Sequence, residues 1–567
     1  MEKRIFLAIV ISIALLIGWN AIAPKLFPEL ARKPVPKTAT TSTAPPASTG
    51  TGSTAPASAT GGTGGTAPTS TAGATNVPTI AGAAATPVAG TALQRTVVDT
   101  PDYRAVLSNR GAELISFQLK NYKQKKSEQP VDLVKAREPH RTDYPFAIVP
   151  HETRADLHRL NRALYAVTDT TDPKGQRVIE YRYSDGKVTA TKRFTFPRSP
   201  FLFNFSVSIQ PPVPYRIAVG PGIRTLGAEE QDTQVVRTGN GVVQTAGKFK
   251  VHGREDVPTL QLFPGIDYIG VEDNYFLTAL RPSQAREGLL QNVSFYDAKT
   301  KARRQDLYAS LNATGEGVVA GEAFFGPKET TLLDSYNMSE ALQFGWFGVV
   351  ARFFLTALLW INQFTHNFGF AIVVLTILIK IALYPLQHKQ NVSMKKMQRV
   401  QPKVELIKAK YKKSRTDAEQ RTKMNTEMMQ LYQKEGINPM AGCLPLILQL
   451  PILWGFYNLL SSAIELRGAN WILWIRDLSE KDPTYILPIL MTATMFLQTY
   501  LMPATGDPAQ RKMFLFMPLI FGFLFKDFPS GLVLYWLVQN ILTIIQQLIM
   551  NKWWKDHPAE VQNGKNE

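Results

Sequence analysis

The chain has 567 residues, and its 63 Lys and Arg outnumber its 45 Asp and Glu, which gives a formal net charge of +18. That length exceeds one folding domain, and the basic balance favours anionic partners such as lipid head groups or nucleic acid. A single cysteine and seven scattered histidines exclude a disulfide framework and a Cys or His metal cluster. The sequence also lacks a Walker A or other Gly-rich phosphate loop, so we expect no cofactor.

The first apolar run, Ile5 to Ala23, is uncharged and follows Lys3 and Arg4. At about 1.5 Å per helical residue, it is long enough for a hydrocarbon core of roughly 30 Å. A cleaved signal peptide is the alternative, because the sequence from 21 to 23 resembles a cleavage site. Pro24 would hinder that cleavage. We therefore predict an uncleaved transmembrane anchor over residues 1–24.

The next segment is of low complexity. Residues 38–94 contain no charged side chain and consist almost entirely of Ala, Thr, Ser, Gly and Pro. Such a composition cannot bury enough apolar surface to offset the entropy lost on ordering. We predict a disordered tether over residues 25–94.

Residues 95–335 carry the pattern of an all-β domain. Apolar side chains recur at every second position from Phe201 to Ile209, which is the period of a half-buried strand. Similar short runs occur at Arg104 to Leu107, Val178 to Tyr183, Leu260 to Phe263 and Gly317 to Phe325. Gly, Pro and Asp turns separate them, so we predict a β-sandwich. No catalytic constellation is present in this domain.

An aromatic amphipathic segment follows at residues 340–365. Arg352, Thr356 and Gln363 form a narrow polar stripe on an otherwise apolar helix. Such a helix suits the plane of the membrane interface. A membrane span is the alternative, but an extra span would break the alternation of loop charges described below.

Residues 366–550 contain five apolar stretches, which we predict to be five membrane spans. They run approximately from Phe368 to Leu386, Met440 to Leu460, Tyr485 to Met502, Met513 to Phe528 and Leu532 to Met550. The fourth is short, because its unbroken apolar part ends at Lys526. A re-entrant segment is the alternative for this stretch.

Charge predicts which side of the membrane each loop occupies, since cytoplasmic loops are enriched in Lys and Arg. The loop over 389–437 is strongly basic, the loop from Glu465 to Asp482 is near neutral, and the following loop carries Arg511 and Lys512. This alternation places both termini, including the tail 551–567, in the cytoplasm. The long segment after the first anchor is then exported.

The basic loop 389–437 has the pattern of a helical hairpin. Met397, Val400, Val404, Ile407 and Tyr411 form one apolar stripe, and a second stripe follows the turn at residues 414–416. The outer faces are basic and suit either anionic lipid or ribosomal RNA. The candidate contact residues are Lys395, Lys396, Arg399, Lys408, Lys412, Lys413 and Arg415.

Lys380 is the only full charge deep within a predicted span, and Thr376 lies one turn earlier on the same face. A cation at mid-membrane normally faces protein or water. Other spans contribute polar or amphipathic side chains at Gln449, Gln498, Tyr535, Trp536, Gln539, Asn540, Thr543 and Gln547. These side chains could line one wet cavity. Alternatively, Lys380 could snorkel to the nearby basic loop while the other groups join helices.

A wet, positively charged cavity would lower the desolvation cost of a hydrophilic protein segment while an apolar segment enters lipid. A cavity with this property favours the hypothesis that the protein is an insertase. A small-solute transporter is a second hypothesis, although the internal repeats typical of transporters are not evident. A tethered envelope-binding protein is a third, which the large exported domain favours.

Several motifs resemble those of the YidC-type membrane protein insertases in their Gram-negative form. One motif is INPMAGCLP at residues 437–445, which Gln449 and Pro451 follow. The others are Tyr384-Pro385-Leu386, MQRVQPK at 397–403 and FPSGLVLYW at 528–536. The resemblance extends over the whole chain.

The resemblance implies a multi-domain inner-membrane protein. Its parts are an N-terminal anchor, a five-span α-helical core, a periplasmic β-supersandwich and a cytoplasmic helical hairpin. It implies an insertase and foldase, not an enzyme, for nascent membrane proteins. Its partners would be the Sec translocon, the ribosome and anionic lipid, without a small-molecule substrate.

The resemblance also implies a substrate groove. The groove arginine of the family corresponds to Lys380, which keeps the charge but loses the planar fork. The substrate-contacting threonine corresponds to Thr376. The aromatic pair of the last span corresponds to Tyr535 and Trp536, where a second tyrosine is common in the family.

Overall fold

The structure is a computed structural model. It describes residues 86–124, 127–134, 143–150, 152–221, 223, 238–254, 256–257, 259–297, 302–313, 317–345, 347–411, 417–436, 444–501 and 508–556. The predicted anchor at 1–24, most of the predicted tether, the hairpin turn at 412–416 and the start of the INPMAGCLP motif lie outside the described residues.

The last residues of the predicted tether, 86–94, are ordered against the sandwich. The main-chain N–H of Val88 donates to the oxygen of Ser184 at 2.9 Å, and that of Gly90 donates to Leu164 at 2.9 Å. A Cβ at Gly90 would lie 2.5 Å from the main-chain oxygen of Tyr165, so only glycine permits this approach. Main-chain hydrogen bonds order this segment although its composition is that of a tether.

A four-stranded antiparallel sheet opens the domain, in the order β1-β2-β3-β4. Its strands are β1 (Arg95–Asp99), β2 (Tyr103–Ser108), β3 (Glu113–Lys123) and β4 (Pro130–Asp132).

A second sheet holds 13 strands within the described residues, and all of its strand pairs are antiparallel. Its strands are β5 (Ile148–Pro150), β6 (Ala166–Thr171), β7 (Arg177–Ser184), β8 (Thr189–Phe196), β9 (Leu202–Gln210), β10 (Tyr215–Pro221), β11 (Thr238–Thr245), β12 (Lys248–His252), β13 (Leu260–Asp273), β14 (Phe276–Pro282), β15 (Arg286–Asp297), β16 (Ala302–Ala313) and β17 (Val318–Pro327). The order is β5-β10-β16-β15-β13-β14-β17-β9-β8-β7-β6, while β11 pairs with β12 and β13.

Aromatic side chains from both sheets fill the space between them. Phe117 of β3 lies 5.4 Å from Phe325 of β17 and 6.1 Å from Phe203 of β9, measured between ring centroids. Phe146 lies 4.9 Å from Phe194 on β8 in an edge-to-face arrangement. All five are at most 2% exposed, so apolar burial holds the two sheets face to face. This packing confirms the predicted sandwich.

The alternation from Phe201 to Ile209 corresponds to β9, where Phe203, Phe205, Val207 and Ile209 are buried. The other four predicted runs fall in β2, β7, β13 and β17. A 3-10 helix at Glu152–Asn161 was not predicted from the sequence.

Eight α-helices lie in the described residues. They are α1 (Thr330–Ser335), α2 (Gly348–Thr365), α3 (Phe368–Lys410), α4 (Ala418–Lys434), α5 (Leu444–Ser462), α6 (Ile486–Leu501), α7 (Pro508–Phe525) and α8 (Ser530–Asp556). Short 3-10 turns occur at Ser339–Ala341 and Ile464–Leu466. The five predicted core spans correspond to α3, α5, α6, α7 and α8.

The first core span and the first hairpin helix form one continuous helix, α3, of 43 residues with Pro385 and Pro402 inside it. The helix turns back after Lys410, and α4 packs along it. Val400 and Val404 are buried against Met428 and Leu431. The predicted helical hairpin is therefore confirmed, and Tyr432 extends the apolar contact.

By length and composition, three described helices could cross a membrane, namely α2, α3 and residues Ser530–Lys552 of α8. Two shorter helical stretches, Ile486–Leu501 and Leu515–Phe525, are also apolar. Length and composition alone therefore do not distinguish an interfacial α2 from a spanning one.

The sandwich contacts the loop that follows α5. The amide of Asn274, between β13 and β14, donates to the main-chain oxygen of Ser461 at 2.8 Å. The N–H and hydroxyl of Thr330, the first residue of α1, both donate to Oε1 of Glu465 at 3.0 Å. The guanidinium carbon of Arg467 lies 5.6 Å from the ring centroid of Tyr275. These contacts join the sandwich to the helical core.

Candidate functional site

Helix α8 is the centre of the core, because neighbouring residues on it contact four other helices. Tyr535 contacts α5, Trp536 contacts α7, Asn540 contacts α6 and Thr543 contacts α3. At about 100° per residue, four positions within about nine residues are enough to reach neighbours on several sides. The remaining side of the helix carries exposed apolar side chains at Ile541, Ile545, Leu548 and Ile549, which suit lipid.

Lys380 points into the helix bundle. Its side chain is 8% exposed, and Nζ donates to Oγ1 of Thr543 at 2.8 Å. Thr376, one turn earlier on α3, is fully buried and donates to the main-chain oxygen of Ile372 at 2.6 Å. The structure therefore places Lys380 against α8, with Thr376 buried one turn earlier on α3. In this arrangement the ammonium group is hydrogen-bonded across to α8.

Gln449 and Tyr535 form a second polar contact in the core. Nε2 of Gln449 on α5 donates to the hydroxyl of Tyr535, which is fully buried. The Tyr535 ring stacks on Phe456 with centroids 4.5 Å apart. Both side chains thus join α5 to α8, and the hydroxyl lies inside the bundle rather than on its lipid side.

Trp536 and Asn540 make helix contacts of different kinds. Trp536 is 8% exposed and packs on Phe525 of α7 at 5.2 Å between ring centroids. The Asn540 amide donates to the main-chain oxygen of Met491 and to Oγ1 of Thr494, both at 3.2 Å. An amide paired in this way joins two helices within lipid.

The remaining predicted polar residue, Gln498, is half-buried on α6. Gln539 lies on the α3-facing side of α8, one turn before Thr543, and its Oε1 is enclosed. Gln390 and Gln546 were missed by the sequence analysis. The signal for Gln546 was helical spacing, because it follows Thr543 by three residues. Gln390 is buried ten residues after Lys380, toward the hairpin.

The end of the core nearest the sandwich is closed by the loop between α5 and α6. Trp471 covers Gly369, where a Cβ would lie 2.0 Å from the indole ring. The main-chain N–H groups of Ser530 and Gly531 at the start of α8 donate to Glu480 and to Leu478 of this loop, at 2.6 and 2.9 Å. The polar positions of α3 and α8 are therefore separated from that end by packed loop residues.

The arrangement can bind but has no evident reactive group. A lysine cation with hydroxyl and amide neighbours can attract a carboxylate and hydrogen-bond a polypeptide. Among the described residues, no group of three or more His, Cys, Asp or Glu side chains could hold a metal ion.

The predicted contact residues of the hairpin that the structure describes lie on the C-terminal part of α3. Arg399 is exposed, while Lys395, Lys396 and Lys408 are half-buried. Ion pairs brace the hairpin between Lys403 and Glu435 at 2.6 Å and between Lys410 and Glu427 at 3.0 Å. The other candidates, Lys412, Lys413 and Arg415, lie outside the described residues.

Both parts of the chain match known families. Residues 95–357 match the family described as YidC periplasmic domain, and residues 360–557 match 60Kd inner membrane protein. The membrane protein insertase YidC of Geotalea daltonii is 33% identical over 571 residues, covering 97% of this chain and 99% of the relative. That of Syntrophus aciditrophicus is 35% identical over 506 residues, covering 83% and 87%.

Among solved structures, an active YidC insertase with its first transmembrane domain resolved is 19% identical to this chain. The alignment has a TM-score of 0.38 and covers 82% of this chain and 94% of that one.

The helical core, the appended antiparallel sandwich and the family match define a multi-pass protein of the inner membrane. A relative that is 33% identical covers almost the whole chain. The chain therefore belongs to the YidC family of membrane protein insertases. The resemblance seen in the sequence motifs is confirmed, and the chain is an insertase rather than an enzyme that catalyses a chemical reaction.

Proposed function

We propose that this insertase moves hydrophilic segments of membrane protein clients through a polar groove between α3 and α8, while their apolar segments enter lipid. The observation that carries the proposal is the Lys380 ammonium group, which is turned into the bundle and donates to Thr543. The groove would also use Thr376, Gln449, Gln498, Tyr535, Trp536, Gln539 and Asn540.

The physical basis is the cost of desolvation. Transfer of a polar segment from water into hydrocarbon costs several kcal/mol of free energy for each polar group that lacks a hydrogen-bond partner. A groove with water, hydroxyls and amides lowers that cost over part of the membrane. The cation attracts acidic client residues strongly, because charges interact more strongly where water is scarce. Partitioning of the apolar client segment into lipid then drives the transfer.

The proposed topology places both termini and the hairpin 389–437 in the cytoplasm and the sandwich 95–335 in the periplasm. It is supported by the basic hairpin and by the family description matched over 95–357. Residues 1–24 would be the anchor, 25–94 the tether, whose last residues 86–94 pair with the sandwich, and 366–550 the five-span core. Residues 340–365 would lie in the interface, with exposed Val349, Phe353, Trp360 and Phe364 on the lipid side.

The proposed partners beyond the clients are the ribosome, the Sec translocon and anionic lipid. The basic surface of the hairpin supports contacts with ribosomal RNA and with lipid head groups. The same side chains, among them Lys395, Lys396 and Arg399, would serve both partners. The translocon contact follows from the family resemblance.

Substitution of Lys380 tests the proposal. We expect Lys380→Arg to support insertion, because it keeps the charge. Lys380→Ala should reduce insertion of clients with acidic translocated segments about tenfold or more, the effect of losing a charged hydrogen bond. The measurement is the insertion, into proteoliposomes that contain the variant, of a series of clients that are stalled during translation.

The matched control is Lys389→Ala, which removes an exposed lysine of the same helix outside the groove. It should insert every client at the wild-type rate. The proposal fails if Lys380→Ala also does so for all clients, acidic and neutral.

A further inference from the structure

The loop between α5 and α6, which closes the core at the sandwich end, carries an exposed apolar tip. Its sequence at residues 471–474 is Trp-Ile-Leu-Trp. Leu473 is 80% exposed and Ile472 is 39% exposed. Among the large apolar side chains that the structure describes, only Val349 of α2 is more exposed than Leu473. The tip therefore presents two apolar side chains that the described protein leaves uncovered.

The backbone at the tip is unfavourable for a leucine. Leu473 has a φ of 53°, in the left-handed region that glycine and asparagine adopt most easily. Phe146 and Phe201 also have a positive φ, but they are at most 5% exposed, so packing in the sandwich accounts for them. Packing within the protein does not account for Leu473. An apolar side chain at this strained position indicates a contact with a partner outside the fold.

Hydrogen bonds hold the tip in place at the start of α3. The N–H of Trp471 donates to the main-chain oxygen of Ile475 at 3.0 Å, and the N–H of Ile475 donates to that of Ile472 at 3.1 Å. The side-chain amide of Asn367, the N-cap residue of α3, donates to the main-chain oxygen of Trp471 at 3.1 Å. The tip is therefore a fixed projection beside the first turn of α3.

The tip adjoins the apolar outer side of α3. The rings of Trp471 and Phe370 lie 6.5 Å apart between centroids in an edge-to-face arrangement. Thr376 and Lys380 are on the buried side of the helix, and Lys380 contacts α8. The exposed apolar side chains follow helical spacing, and they are Phe370, Val374, Ile377, Leu378 and Ile381. This strip faces lipid, and the tip lies at the end of it that is nearest the sandwich.

The level of the tip matches the boundary between lipid and water. Helix α3 begins at Phe368 and is long and apolar enough to cross a membrane, so its first turn marks one edge of the hydrocarbon. Tryptophan is enriched at this level, and Trp471 and Trp474 flank the tip. Arg476 is exposed, and its guanidinium suits the phosphate of a lipid head group. These features favour a lipid leaflet over a protein as the partner.

We propose that Ile472 and Leu473 insert into the acyl region of the lipid leaflet on the sandwich side of the membrane. Burial of these side chains in lipid offsets the unfavourable backbone at Leu473 and anchors the loop that closes the core. This lipid contact is separate from the proposed groove, because the tip adjoins the exposed side of α3 whereas Lys380 lies on the buried side.

Quenching of a fluorophore by spin-labelled lipid tests this inference in the full-length protein. Cys443 is first replaced by Ala, and a nitrobenzoxadiazole probe is attached to Leu473→Cys. The protein is then reconstituted in vesicles of phosphatidylethanolamine and phosphatidylglycerol. Lipids with a nitroxide near the start of the acyl chain should quench this probe about twofold or more, since inserted apolar side chains lie near the boundary of head groups and acyl chains.

Two further positions calibrate the quenching. Ile381→Cys, on the exposed side of α3, should be quenched by nitroxides deeper in the acyl chain. Lys187→Cys, on an exposed turn of the sandwich, should not be quenched. If the probe at Leu473→Cys is quenched no more than the probe at Lys187→Cys while Ile381→Cys responds, the tip lies in water or against a protein. That result overturns the inference.

Hydrogen exchange in the same vesicles separates lipid anchoring from a role in the fold. Leu473→Asn tolerates the left-handed backbone and removes the apolar side chain. A role in the fold alone predicts equal or slower exchange of the loop amides, because strain is relieved. Lipid anchoring predicts exchange at least about tenfold faster, because the burial of a leucine is lost. The reporters are the N–H groups of Ile475 and Leu478, which are hydrogen-bonded within the loop.

Leu473→Met is the matched control, because it keeps an apolar side chain of similar volume on the same backbone. Faster exchange in Leu473→Asn, together with wild-type exchange in Leu473→Met, is the result expected. Wild-type exchange in Leu473→Asn overturns the inference. Equally fast exchange in both variants also overturns it, since the leucine would then be needed for its shape within the turn.

Discussion

Lys192 is a fully buried charge in the sandwich. Its ammonium group donates to the main-chain oxygens of Gly111 at 2.6 Å and Phe146 at 2.7 Å, which lie outside β8. Burial lowers the pKa of Lys192 to about 8, and the nearby charge of Glu113 opposes this shift. The lysine thus fastens the chain at 111 and 146 to the large sheet.

We expect Lys192→Met to destabilise the sandwich by about 2–6 kcal/mol, because the main-chain oxygens of Gly111 and Phe146 lose their buried donor. Hydrogen exchange of the β8 amides in the full-length protein measures this change. Lys187→Met removes an exposed lysine of the preceding turn and should change the opening free energy little. Equal exchange in both variants would contradict this role of Lys192.

At the residue scale, sequence reasoning found Lys380 because a cation within an apolar run is rare. It could not decide where the side chain points, since Thr543 is 163 residues away in sequence and the contact depends on how α3 and α8 pack. Gln390 was not identified from the sequence because the predicted span ended at Leu386. The continuity of α3 through Pro385 was not evident, since proline usually interrupts a helix.

At the element scale, the hairpin depends on few apolar contacts. Val404 is 3% exposed against α4, while Leu406, two residues further on the same helix, is 73% exposed. We expect Val404→Ala to destabilise the hairpin by about 1–2 kcal/mol, at about 0.8 kcal/mol for each buried methylene equivalent lost. Hydrogen exchange of the α4 amides should then increase. Leu406→Ala is the control, and faster exchange there than in Val404→Ala would refute the assignment.

The regular elements were the most predictable part of the fold. Strict alternation predicted β9 and heptad-like spacing predicted the hairpin, because each signal lies within one element. The order of the 13-stranded sheet was not predictable, since β10 pairs with β16 and β5 across distant parts of the chain. Residues 86–94 were misjudged because composition does not report main-chain hydrogen bonds.

At the scale of the whole molecule, Glu465 links the core to the sandwich. Burial raises the pKa of Glu465, even though the two hydrogen bonds from Thr330 lower it. A raised pKa means that the folded protein retains a proton which the unfolded chain has already released. The contribution of this contact to stability therefore falls as the pH rises from 4.5 through the raised pKa.

We expect Glu465→Gln to remove this pH dependence while keeping an oxygen that accepts from Thr330. Glu465→Ala should loosen the contact at every pH, because the Thr330 donors then lose their partner. Hydrogen exchange at Thr330 between pH 5 and 8 measures both effects, with the wild-type protein as reference. An unchanged pH profile in Glu465→Gln would show that another group governs this interface.

The proposed path for hydrophilic client segments requires that water reach the face of α8 that Lys380 contacts. Gln539 lies on that face, and Ile541, two residues later, faces the lipid side and is 42% exposed. The most direct measurement is labelling of Gln539→Cys and of Ile541→Cys by a charged, membrane-impermeant maleimide. Cys443 is first replaced by Ala, and the reagent is added from the cytoplasmic side.

We predict that Gln539→Cys reacts, that a stalled client protects it, and that Ile541→Cys stays unlabelled. If Gln539→Cys is as inert as Ile541→Cys in the empty protein, the groove is dry and sealed, and the proposed path for hydrophilic segments is contradicted.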